Sequence, residues 1–272
     1  MKCSFSSIAW SKEDTDDVIE ILIRNGIRHI DLIPSQIVTP LESLEVNQIA
    51  NFKKTWFTKG FSAIGMQSLF YERKDLKFFQ SEESVKDSIA HFRRIANLAN
   101  QLEITSLVLG SPQQRKIDSK KDSNDLVLFF FRQLSSICVE NKLTLCLEPN
   151  SSHYDTNFLT TTAETAKFIE RLSLPAIMMN FDTGCEIMNQ GDPIESFSRY
   201  NDIIGHVHIS TPYLKPVTAA CIDHTKFSNL LRKKMYNKCI AIEMLNLEKR
   251  MQLFNIQVAS KILKDYYMSE LL

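Results

Sequence analysis

Four residues in the C-terminal half of the chain are of types that bind metal ions, and each closes a short apolar run. Leu143-Thr144-Leu145-Cys146-Leu147 runs into Glu148, and Ile177-Met178-Met179-Asn180-Phe181 runs into Asp182. Ile203-Ile204-Gly205-His206-Val207 runs into His208, and Cys239-Ile240-Ala241-Ile242 runs into Glu243. From Glu148 to Asp182 is 34 residues, from Asp182 to His208 is 26, and from His208 to Glu243 is 35. A lone acid at such a place is ordinarily a helix cap or a solvated loop residue. Four in register, each about one strand–helix unit apart, point to a shared site. Three carboxylates and an imidazole brought together repel unless a cation joins them. Mixed oxygen and nitrogen ligation suits one divalent metal ion: manganese, cobalt, magnesium or zinc.

The elements that must position these residues follow the same repeat. Strand-like runs are expected at Cys3–Trp10, Arg28–Pro34, Phe61–Ser68, Thr105–Gly110, Leu143–Glu148, Ala176–Asp182, Ile203–Ile209 and Ile240–Leu245. Between them lie stretches of helical period. One opens at Ser11-Lys12-Glu13-Asp14 and stops near Asn25-Gly26; another, Ser81–Leu102, puts Val85, Ile89, Phe92, Ile95, Ala96 and Ala99 on one face. Ser123–Glu140, a helix capped by Thr161-x-x-Glu164, and a closing helix Leu247–Tyr267 complete the set, while Gln36–Lys59 has a poor helical signal. Eight such units in 272 residues predict a (β/α)8 TIM barrel, α/β class, as a single domain over 1–272. An open doubly wound sheet fits less well, because the spacing is even and no Gly-rich first turn is present. In a barrel the C-terminal strand ends converge on one face, where sites are built. His206 shares a face with His208 and lies one layer deeper, so a supporting role is expected for it rather than ligation.

Composition narrows the partners. Thirty-two Lys and Arg balance 32 Asp and Glu. No basic face is indicated, which argues against nucleic acid or an anionic membrane as partner. The longest strongly apolar run, Leu126–Phe131, is far short of a membrane span, and no targeting segment is recognisable. Six cysteines without a C-x-x-C predict reduced thiols and a cytoplasmic location. Whether the barrel forms a homodimer is left open.

The motifs resemble the sugar phosphate isomerase/epimerase family of xylose-isomerase-like TIM barrels over nearly the whole chain. Leu147-Glu148-Pro149-Asn150, Phe181-Asp182-Thr183-Gly184, His206-Val207-His208-Ile209-Ser210 and Ile242-Glu243-Met244 carry the resemblance. Gly65-Met66-Gln67-Ser68 and Gly110-Ser111-Pro112-Gln113-Gln114-Arg115 match a bacterial branch of it. The resemblance implies a metal held by Glu148, Asp182, His208 and Glu243, and a sugar or sugar phosphate as small-molecule substrate. It further implies that Glu148 and Glu243 are the catalytic acid/base pair. A metal on the carbonyl and hydroxyl oxygens would stabilise an enediolate while one carboxylate removes the α-proton and another group returns it. Gln67, Ser111, Arg115, Asn150, His153 and Lys215 are the polar residues expected around the rim and substrate. Arg115 is a candidate for a phosphate or other anion; the plain alternative is a solvent-facing loop charge, since Lys116, Lys120 and Lys121 follow it. Asp31, near the end of the second strand, is expected to order the site. Trp10 is expected either to wall the sugar or to join the core. Ketose 3-epimerases have a His three residues after the Asp, where this chain has Cys185, and an Arg after the strand-seven His, where the nearest basic residue is Lys215.

Three other functions compete. A dehydratase of the same superfamily would use the same metal and base for β-elimination. An apurinic-endonuclease-like nuclease would need further histidines on earlier strands, where this chain has Gln67 and Ser111. A scaffold on a decayed barrel is at odds with four intact ligand positions.

Overall fold

In the computed structural model, which describes residues 1–118, 124–245 and 249–268, every one of the eight apolar runs forms a strand. These are β1 Lys2–Ser6, β2 His29–Leu32, β3 Ser62–Met66, β4 Ser106–Leu109, β5 Thr144–Leu147, β6 Ile177–Asp182, β7 Ile204–Ile209 and β8 Cys239–Ile242. All pair in parallel, and β8 returns to β1 through Lys2↔Cys239 to Phe5↔Ile242, closing the barrel. The strands are buried on both faces, which is why they read as continuous apolar runs rather than alternating ones.

The helices cover the outside: α1 Thr15–Arg24, α2 Val46–Trp56, α3 Glu82–Gln101, α4 Asn124–Glu140, α5 Thr162–Leu172, α6 Thr183–Met188, α7 Pro193–Tyr200, α8 His224–Lys233 and α9 Gln252–Ile262. Their caps follow the expected chemistry. Ser81 Oγ accepts the Ser84 N–H at 3.1 Å, and Thr161 Oγ1 accepts the Glu164 N–H at 3.1 Å. The six residues expected on the inner face of α3 are all buried. No described helix is long and apolar enough to cross a membrane.

Three expectations are corrected. The first strand ends at Ser6, and a 3-10 turn over Ser7–Ala9 swings Trp10 out of the strand line and into the core. There its ring lies 5.9 Å from Trp56 and 6.2 Å from Phe5, so Trp10 is no wall for a sugar. The weak connector Gln36–Lys59 does contain a helix, α2, which buries Ile49, Phe52 and Trp56 at helical spacing. Its start is fixed by Gln48 Oε1, which accepts the Glu45 N–H at 2.8 Å. Finally, α1 begins at Thr15 rather than Ser11, after a 3-10 turn over Lys12–Asp14. Lys120, Lys121 and the expected helix starts at Ser123 and Leu247 lie outside the described residues.

One irregularity in the sheet bears on the site. The β6–β7 register passes from Met179↔Ile204 to Asn180↔His206, skipping Gly205. The shift sets Asp182 beside His208. A Cβ on Gly205 would lie 2.7 Å from Cys146 Sγ and 2.8 Å from Met178 Cβ, closer than packed atoms approach. Gly205→Ala is therefore expected to destabilise the barrel by about 1–3 kcal/mol, read as a lower urea midpoint with an unchanged m-value.

Candidate metal centre

Strand alternation turns Glu148, Asp182, His208 and Glu243 inward at the C-terminal ends of β5 to β8. His208 is fully buried. Its Nδ1 lies 3.0 Å from Glu148 Oε1, 3.1 Å from Glu243 Oε2 and 4.0 Å from Asp182 Oδ2. The ligand atoms of all four residues lie within 4.8 Å of one another. They form the floor of a cavity of about 620 Å³.

Donors hold each carboxylate in place. Asn180 Nδ2 donates to Glu148 Oε1 at 2.7 Å, and Asn150 Nδ2 to Glu148 Oε2 at 3.0 Å. Ser210 Oγ lies 2.8 Å from both oxygens of Asp182, whose Oδ1 also accepts the Cys185 N–H at 2.5 Å. Gln67 Nε2 donates to Glu243 Oε1. Neither Asn180 nor Ser210 was singled out from the sequence. The available signal was parity, because each lies two residues from a ligand on the same strand line and so faces the same way.

The electrostatics show what the cluster needs. Burial pushes the Asp182 carboxyl up, and the charges of Glu148 and Glu243 push it further, to about 8. Burial works against charge on His208, but Glu243 and Glu148 outweigh it and hold the imidazole well above the usual histidine range. Burial also opposes charge on Glu148. There the hydrogen bond and charge of His208, then Asn150 and Arg115, outweigh it and hold the carboxyl below its usual range. Glu148 and Glu243 thus share one imidazole nitrogen with a third acid, Asp182, close beside them, and the set demands further positive charge. The donor set and its burial fit a divalent cation.

Asp31 and His206 lie directly below, both fully buried. Asp31 Oδ2 is 2.7 Å from His206 Nε2 and 4.0 Å from His208 Nε2, while its Oδ1 accepts from Ser4 Oγ at 2.8 Å. Asp31, His206 and Cys239 form the other grouping of ligand-type residues among the described residues. It lies sealed in the barrel interior, with all three residues buried.

Of the expected rim residues, Gln67, Ser111, Asn150 and His153 line the cavity. Lys215 is exposed and is not part of the cavity wall; its carbonyl accepts from Thr211 Oγ1 at 2.7 Å. Arg115 is neither at the rim nor in solvent. It is 2% exposed, and its guanidinium donates to backbone carbonyls. Burial pushes its pKa down to about 10, which still leaves it charged at neutral pH. Tyr71, Lys74 and Tyr154, none singled out from the sequence, stand in the wall instead.

Comparison with known proteins agrees with this architecture. The model of the xylose isomerase-like TIM barrel family matches residues 16–261. The chain belongs to that family. No curated protein matches the sequence. Among solved structures, D-psicose 3-epimerase from Clostridium cellulolyticum, bound to D-tagatose, is similar at a TM-score of 0.77 and 15% identity, covering 99% of this chain and 100% of that one. The IOLI protein with a bound zinc atom has a TM-score of 0.71 at 16% identity, covering 98% of each chain. A sugar phosphate isomerase/epimerase from Parabacteroides distasonis has a TM-score of 0.71 at 13% identity, covering 99% of this chain and 97% of that one. At these identities the likeness establishes the shared barrel.

Two outcomes are expected. A Cβ on Gly110 would overlap Glu148 Oε2 and lie 3.2 Å from Asn150 Oδ1. Gly110→Ala should weaken divalent-cation binding by roughly 10–100-fold, by titration calorimetry with Mn²⁺ or Zn²⁺, while circular dichroism is unchanged. The second concerns pH. With its folded pKa at about 8 against 3.8 for an unperturbed aspartate, Asp182 keeps a proton that the unfolded chain releases. The folded state therefore binds more protons across that window, and stability falls as pH rises through it. Urea unfolding of chelator-treated protein should show this slope between about pH 4 and pH 8, and saturating divalent cation should flatten it.

Proposed function

We propose that the protein is a divalent-metal-dependent isomerase or epimerase of a small sugar, with Glu148, Asp182, His208 and Glu243 as ligands and Glu148 and Glu243 as acid and base. The observation that carries this reading is the pair Glu148 and Glu243. They come from the non-adjacent strands β5 and β8, yet stand 3.0 and 3.1 Å from the same His208 nitrogen on the cavity floor. A divalent cation there would polarise a sugar carbonyl and acidify the neighbouring C–H. His208, with Asn150 and Arg115, holds Glu148 as a carboxylate, the form that accepts a proton, and Asn180 adds a hydrogen bond to its Oε1. Gln67 donates to Glu243 Oε1 and so orients the second proton carrier. Proton return on the other face of the same carbon is epimerisation, and return at the adjacent carbon is isomerisation. Ser111, Asn150 and His153 contribute to the cavity wall, which supports them as partners for sugar hydroxyls.

The named neighbours support the class. One is an epimerase with a ketose bound, one is a sugar phosphate isomerase/epimerase, and one binds zinc. The carboxylate-rich ligand set suits manganese as well as zinc, cobalt or magnesium. Six unpaired thiols fit work in the reducing cytoplasm.

The test is proton exchange at the substrate carbon. Incubated in D₂O with Mn²⁺ and a ketose such as D-tagatose or D-psicose, the protein should incorporate deuterium next to the carbonyl. Glu148→Gln and Glu243→Gln should each cut this rate by about 10²–10⁴-fold. Metal content measured alongside separates loss of the base from loss of the ion. Exchange at the original rate in both variants would sink the assignment. So would the absence of any rise in melting temperature with divalent cation.

A further inference from the structure

Arg115 is the largest fully buried side chain that the proposed chemistry leaves unused, and among the described residues it makes no ion pair. A guanidinium without a carboxylate partner is costly to bury, so its two hydrogen bonds are informative. One goes to the Glu148 carbonyl at 2.6 Å and the other to the Leu159 carbonyl at 3.0 Å. Glu148 and Leu159 are the two ends of the loop that follows β5. Between them the loop supplies Asn150, His153, Tyr154 and Asp155 to the cavity wall.

The neck of this loop is drawn tight at one point. The Leu159 carbonyl also accepts the Asn150 N–H at 3.0 Å. Leu159 itself is in the left-handed region at φ 55°, where a branched side chain is strained, and it is buried. The strain is held from both sides, because Glu164 takes the N–H groups of Leu159 and Thr160 at 2.9 and 2.7 Å. Beyond the neck, the two flanks are laced. Lys116 Nζ meets Asp155 Oδ1 at 2.5 Å, and Asn157 exchanges hydrogen bonds of 2.8 Å with both backbone groups of Ile117. A planar guanidinium holds two carbonyls in one fixed geometry, whereas a lysine ammonium on its flexible stem holds them less rigidly.

We propose that Arg115 is a positioning residue, a clasp that closes the neck of the Glu148–Leu159 loop and so sets both the Glu148 carboxylate and the cavity wall beside it. The link to the carboxylate is direct. Arg115 fixes the Glu148 backbone from behind, and Asn150, held on the same Leu159 carbonyl, fixes the Glu148 Oε2 atom in front. This rests on the reading of Glu148 as ligand and acid/base residue, and it replaces the expectation that Arg115 binds an anionic substrate.

Arg115→Met and Arg115→Lys test it through three readouts: amide hydrogen exchange across the chain, Mn²⁺ affinity by calorimetry, and kcat and KM for deuterium incorporation. In Arg115→Met the amides of 150–159 should exchange at least about 10-fold faster while those of α3 and β7 keep their protection. Mn²⁺ should bind more weakly, and kcat should fall by about 10–100-fold with KM little changed, as for a displaced reacting group. Arg115→Lys should fall between Arg115→Met and the parent on all three, and it carries the test if Arg115→Met does not fold. Faster exchange spread over the whole barrel would make Arg115 merely structural. Unchanged exchange in the loop would remove the clasp. A raised KM confined to anionic sugars, with kcat intact, would return Arg115 to substrate binding. Each of these overturns the proposal. If no sugar is turned over by the parent protein, the proposed function fails, while loop exchange and Mn²⁺ affinity still decide the role of Arg115.

Discussion

Mutual repulsion among three buried carboxylates is the constraint around which this barrel is arranged. At about 4 Å, two like charges at a protein-like effective dielectric of 20 repel by about 4 kcal/mol. Glu148, Asp182 and Glu243 nonetheless share one cavity floor with a single imidazole. The surrounding structure supplies what offsets this. Asn150, Asn180, Ser210, Gln67 and the Cys185 N–H all point donors at the carboxylates. What those dipoles leave uncompensated is a demand for positive charge. Protons meet it in part, on Asp182 and His208, and a divalent cation would meet it more completely.

A flexible scaffold would relieve the repulsion by moving the acids apart. The closed barrel prevents this, because each acid sits at the end of a strand hydrogen-bonded on both sides. The layer below adds to the rigidity. Asp31 accepts a hydrogen bond from Ser4 and faces His206 at 2.7 Å, so the floor under His208 is itself a buried polar network. The skipped Gly205 matters for the same reason, since one residue of register decides which β7 side chain stands beside Asp182.

The strands and their inward-facing residues were legible in the sequence because two short periods suffice to read them. Runs of apolar residues marked all eight strands, and alternation carried the facing of His206 and His208. Gly110 was visible only as part of a motif; its reason is that a Cβ there would occupy the space of the Glu148 carboxylate. Loops carry no such period. Trp10 and Arg115 both follow strand ends, and for each a place near substrate was one of two readings, the other being the core for Trp10 and a solvent-facing loop for Arg115. A 3-10 turn sends Trp10 into the aromatic cluster with Trp56, and the neck of the β5 loop captures Arg115 on two carbonyls. In each case the partner lies more than forty residues away, or is a backbone atom that leaves no mark in side-chain pattern.

The sequence by itself determined the barrel and the four residues that meet at its mouth, because strand parity and unit spacing are local properties that survive folding unchanged. Tertiary structure alone decided how those residues are charged, which donors hold them, and which loop residues reach the cavity. Charge state depends on burial and on neighbours brought in from other strands. Loop placement depends on hydrogen bonds to distant backbone, and neither is encoded in any short stretch of chain.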